Sequence, residues 1–194
     1  MTTLPDPVID ETRAWVRRAV IGLNLCPFAR AVEAKDRMRY VVSDSPEPAR
    51  VLEQMMAELL LLADTPVEET ETTLLILTEG FADFLDFNDF LGLAELLLRR
   101  AGLEGEFQIA SFHPDYQFAG TPFEDVTNAT NRSPYPTLHL LRESSIDKAV
   151  ASMENPDRIY EENMETLKRL GPEGWAALRE QCRRDAETGD MPGV

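Results

Sequence analysis

The stretch Thr72-Thr-Leu-Leu-Ile-Leu-Thr78 runs four large aliphatic side chains together between threonines, without a charge or a turn former. A strand with one wet face would alternate apolar and polar residues, whereas a continuous apolar run marks a strand covered on both faces. Layers must therefore lie on either side of it. Upstream, Pro48 to Ala63 sets Val51, Leu52, Met55, Leu59 and Leu62 three and four residues apart, and Pro48 suits a first helical turn. Downstream, Phe84 to Arg100 repeats the helical pattern and stops at Gly102. Phe81, Phe84, Phe87 and Phe90 recur every three residues, a spacing that turns them toward a core. Further out lie three more β-rich runs: Arg39 to Ser43, Glu106 to Phe112 and Thr137 to Arg142. Strands alternating with helices of a dozen residues make βαβ units, whose neighbouring strands run parallel. The expected fold is α/β, with a roughly four-stranded, partly parallel sheet packed with helices.

Before this core, Thr12, Trp15, Val16, Ala19, Val20 and Leu23 outline an amphipathic first helix. Gly22, Asn24 and the pair Cys26-Pro27 crowd its end, because a residue before proline is pushed out of the α region. A second short helix starts near Pro27. After Glu143 the pattern is helical only, with a Ser-capped helix to about Met153, another from Pro156 to Leu170 and a third from Pro172 to Ala186. The chain reads as one domain over residues 1–194. Its α/β core spans 38–142, its C-terminal helices 143–186, and its tail, 187–194, is expected to fray.

Nineteen basic and thirty-five acidic side chains leave a net charge of −16, which repels phosphate backbones, and no local Lys/Arg cluster offsets it in the sequence. Nucleic acid is excluded as an expected partner. The longest apolar stretch, Leu59 to Ala63, is far short of the roughly 20 residues that cross a bilayer, so no membrane span is expected. Two distant cysteines, Cys26 and Cys182, and charged and proline positions where a leader would be apolar point to the cytoplasm and reduced thiols.

Residues 113–136 join the third and fourth strands without helical period or strand alternation. Loops of this length are functional or disordered, and Tyr116, Phe118, Phe123 and Tyr135 with four prolines favour a fixed shape. Ligands of open parallel sheets sit outside the carboxyl ends of the strands. Those ends are Ser43-Asp44, Thr78-Glu79-Gly80 and Ser111-Phe112-His113, so a histidine and two carboxylates stand to meet at one edge.

His113 with Asp115, or with Glu79 as its orienting carboxylate, suits general acid–base work; the plainer alternative is a strand-end histidine bonded to a backbone carbonyl. Cys26, at the possible start of a helix, suits a nucleophile, a redox thiol or a soft metal ligand, against simple packing as a small hydrophobe. Asn128, Asn131 and Arg132 suit the holding of an oxyanion, with Tyr116 beside them, or else turn chemistry and a clamp on loop carbonyls. His139 alternates with Leu138 and Leu140 on the fourth strand and reads as a satisfied, semi-buried histidine.

The chain has no glycine-rich phosphate loop, Gly-x-Ser-x-Gly elbow, Cys-x-x-Cys pair or His-Glu-x-x-His motif. Trp15-Val leading to Leu25-Cys-Pro-Phe-Ala29, Phe112-His-Pro-x-Tyr-x-Phe-Ala-Gly120 and Asn128-Ala-Thr-Asn-Arg-Ser-Pro-Tyr-Pro-x-Leu-His-Leu-Leu-Arg-Glu143 resemble the uncharacterised family catalogued as domain of unknown function 1415. The resemblance spans residues 8 to about 185 and implies a discrete fold; it adds no catalytic residue. Three functions are expected. The first is an enzyme acting on a small polar or anionic metabolite, in a His113-centred pocket built from residues 112–142. The second is a metal- or haem-dependent oxidoreductase with Cys26 and histidine ligands, the cofactor itself unknown. The third is a non-catalytic binding or assembly module. The spacing of His113, Asp115, His139 and Cys26 fits no standard metal site.

Overall fold

The computed structural model describes residues 6–151 and 155–194. Helix α1 (Pro7–Trp15) is capped by Asp6, whose Oδ1 accepts from the Val8 N–H at 2.9 Å, and it continues as a π-helix over Val16–Ile21. The Gly22 N–H reaches back five residues to the Arg17 carbonyl at 3.0 Å. Then follow α2 (Ala29–Ala34), β1 (Met38–Ser43), α3 (Pro48–Asp64), β2 (Thr72–Leu77), α4 (Phe84–Arg100), β3 (Phe107–Phe112), a 3-10 helix (Val126–Asn131), β4 (Thr137–Arg142), α5 (Glu143–Ala151), a short 3-10 turn (Pro156–Arg158) and α6 (Ile159–Thr188). The end of α5 expected near Met153 lies outside the described residues. The two helices expected on either side of Gly171-Pro172 are present within α6: the backbone leaves the helical conformation at Gly171 (φ 73°, ψ 169°), and the two helices meet there at a kink. No described helix is long and apolar enough to cross a membrane.

The four strands form one mixed sheet in the order β1-β2-β4-β3. β1 pairs with β2 in parallel, and β4 runs antiparallel between β2 and β3. β1, β2 and β3 therefore share a direction, as βαβ reasoning expects, but the α4 crossover leaves a gap one strand wide that β4 fills. Alternation along the strands divides the core. One face carries Leu75, Leu77, Leu138, Leu140 and Phe107 against Val51, Met55, Leu59 and Leu62 of α3 and Phe87, Phe90, Ala94 and Leu98 of α4. The other face carries Met38 and Leu74 against Ala14, Trp15, Val16 and Ala19 of the first helix and Leu167, Trp175 and Cys182 of α6. All six residues of β2 are buried, which is why its sequence does not alternate.

The C-terminal helix is fastened by charge as well as by packing. Arg18, in the π-helical turn, donates through Nε and Nη2 to the buried carboxylate of Asp185. Arg17, its neighbour, donates to Glu33 at 2.8 Å and to the Pro192 carbonyl at 3.0 Å. Met191 packs on the second core, so residues 191–192 of the tail expected to fray lie against the body.

Candidate functional site

At the carboxyl ends of β1, β2 and β3, the fold does gather the segments the sequence points to, but the imidazole of His113 and the amides and guanidinium of the loop after it are bonded within the chain. His113 is fully buried. Its Nδ1 accepts from the Asp115 N–H at 3.0 Å and its Nε2 donates to the Phe81 carbonyl at 2.9 Å. Phe84 and Phe87 enclose the ring at 5.4 and 5.3 Å between centroids. Burial lowers its pKa, opposed by the bond to Phe81. This is a neutral imidazole with both nitrogens occupied by backbone, the plainer of the two roles expected of it. The Asp115 and Glu79 side chains are exposed, and it is the Asp115 N–H that fixes the ring.

The loop that follows is held by its own side chains. Asn128, fully buried, accepts at Oδ1 from the Phe118 N–H and the Thr121 hydroxyl and donates from Nδ2 to the Pro122 carbonyl at 2.8 Å. Arg132 donates to the carbonyls of Tyr116 (3.1 Å) and Phe123 (2.7 Å), with its guanidinium 4.8 Å from the Phe123 ring. Asn131 donates to the Ser111 carbonyl and bonds to Tyr116, which packs on Phe84 and Phe118. Thr72 Oγ1 donates to the Leu140 carbonyl, so at its 2.7 Å contact with His139 the ring Nε2–H is the donor. Burial lowers the His139 pKa to about 4.

Burial raises the pKa of the Cys26 thiol, and the N–H groups of Phe28 and Ala29 oppose this in part. The helix after it, α2, begins at Ala29 and is six residues long. Cys26 packs with the α1–α6 core, whereas His113 lies among the α4 aromatics on the other face of the sheet. Among the described residues, no group of three His, Cys, Asp or Glu side chains is placed to hold a metal ion.

A hollow of about 300 Å³ opens elsewhere, at the amino end of the edge strand β1. Ile9, Arg13, Asp36, Arg37, Met38, Arg39, Tyr40 and Thr70 line it. Arg37 precedes β1, which sends Arg39 toward Glu58 of α3 and Met38 and Tyr40 to the other face, so the lining wraps the strand's open edge. Arg39 is tied to Glu58 by two bonds of 2.7 and 3.1 Å. Arg37 stands 3.9 Å from Glu71, and Arg13 stands 3.9 Å from Glu33 with its guanidinium 4.8 Å from the Tyr40 ring. Glu33, with 4% of its side chain exposed, accepts from Arg17 and, at 2.9 Å, from the Tyr40 hydroxyl. Burial and the Glu33 charge push the Tyr40 pKa upward, so the phenol stays protonated. The sequence shows no basic cluster because Arg13 is separated from Arg37 and Arg39 by α2; folding brings them together. The run Asp36-Arg-Met-Arg-Tyr40 in so acidic a chain was the available signal.

A family model described as "Protein of unknown function (DUF1415)" matches residues 7–177. The chain belongs to the DUF1415 family. The matched span takes in the whole sheet and every residue lining the hollow, and it ends within α6. No curated protein and no solved structure matches this DUF1415 chain.

Proposed function

We propose that this DUF1415 protein binds a small anionic metabolite, through a carboxylate or phosphate group, in the arginine-lined hollow beside β1. The observation that carries this reading is the gathering of three arginines at one opening. In a chain of net charge −16, Arg13, Arg37 and Arg39 line it with Asp36, and each arginine has a glutamate, Glu33, Glu71 or Glu58, at 3.9 Å or closer. Arg39 is saturated by Glu58 and serves as wall. Arg37 keeps its carboxylate partner beyond hydrogen-bond distance, and Arg13, bonded to the Tyr40 hydroxyl, stands 3.9 Å from Glu33; each retains N–H donors for a ligand oxygen, and Arg presents them as a planar fork. Ile9 and Met38 offer an apolar surface for the body of an organic anion. The groups present suit recognition of charge and give no acid–base pair for turnover.

Thermal unfolding in a panel of phosphate, small mono- and dicarboxylates and matched cationic amines tests the reading. Selected anions are expected to raise the melting temperature saturably at constant ionic strength, as any ligand of the folded state does. Equal responses to anions and amines, or none, would overturn it.

A further inference from the structure

A second cavity, independent of the anion hollow, lies where α1, α6 and the turn before β4 meet. It has room for about 10 Å³ and is lined by Glu11, Trp15, Ser133, Trp175 and Cys182, among others. That is about the smallest space that admits a water molecule. Trp15 and Trp175 are 3% and 6% exposed, and the Nε1–H of each is wholly buried without an acceptor in the protein. An indole N–H is a donor only, so each calls for an oxygen. The same lining supplies acceptors. Glu11 uses Oε2 to accept from the Tyr135 hydroxyl, and Ser133 donates its hydroxyl hydrogen to the Tyr135 carbonyl at 2.6 Å, which leaves the Oγ lone pairs to accept.

We propose that this cavity is a binding site for one structural water, which accepts from both indole N–H groups and donates to the Glu11 carboxylate and the Ser133 hydroxyl. Two donors and two acceptors match the four bonds a water makes. Arg179 also lines the cavity and offsets the Glu11 charge, so it is the size of the space, about 10 Å³, that favours a water over a larger inorganic anion. The site joins the first helix to the last at the centre of the second core.

A crystal structure of the full chain at a resolution that shows ordered water, with a parallel bromide soak, tests this directly. The expected result is one density peak within hydrogen-bond reach of both Nε1 atoms, without anomalous bromide signal. In solution, both indole N–H resonances should show cross-relaxation to a long-lived water. A dry cavity, indoles bonded to protein acceptors, or a bromide peak at the site would each overturn the proposal.

Discussion

His113 and His139 are the chain's two histidines, and the fold holds both neutral. In the unfolded chain each takes up a proton as the pH falls through about 6.5, while the folded state resists protonation, His139 down to about 4. The unfolded state thus binds more protons in this window, and stability declines as the pH falls from about 6.5 toward about 4. We predict that the urea midpoint drops between pH 7 and pH 5. In His139→Gln, which keeps a donor for Thr72, the drop should be smaller by about 1–2 kcal/mol, discounted because the ring is partly exposed. An equal slope in the variant would show that His139 is not the group being protonated. At this scale the sequence is least legible. Histidine before Pro-x-Tyr reads equally as a catalyst or as a ring locked by its neighbours, and only the carbonyl of Phe81, thirty-two residues upstream, separates the two.

Between residue and fold stands the connection from β3 to β4. Its length and its aromatics predict an ordered segment, and it is ordered, but by internal bonds. Asn128 is the centre of this bonding, since one buried amide pairs with the backbone of Phe118 and Pro122 and the hydroxyl of Thr121. Asn128→Ala removes these bonds and is expected to cost about 1–3 kcal/mol. Hydrogen exchange should rise first in residues 116–123; uniform acceleration over the whole chain, or none, would contradict the clamp. The helices and strands themselves were legible to within a few residues because hydrophobic period and capping act locally. Two elements were not. The 3-10 helix at Val126–Asn131 is too short to show a period, and the π-helical turn at Val16–Ile21 keeps the apolar spacing of an ordinary helix.

Across the whole molecule, one sheet with helices on both faces explains the uniform burial of β2 and the bonding of α6 to the first helix. The antiparallel insertion of β4 was not legible, because an apolar strand carries no mark of its neighbour's direction. Nor was the hollow, which depends on Arg13 of α1 meeting Arg37 and Arg39 at the edge of β1. Charge summed over the chain hides it: the net of −16 says nothing of where the fold gathers its arginines.

Calorimetric titration of inorganic phosphate, and of the best carboxylate from the thermal panel, into the full chain and into Arg37→Gln tests the proposed anion site most directly. We predict saturable binding of one anion per chain, weakened about tenfold or more by Arg37→Gln, since a charge-assisted bond contributes about 1.5–3 kcal/mol. The variant should fold as the parent does, because among the described residues the Arg37 side chain makes one long ion pair, 3.9 Å from Glu71. Absence of binding in the parent, or the same affinity in both proteins, would contradict the assignment of the hollow.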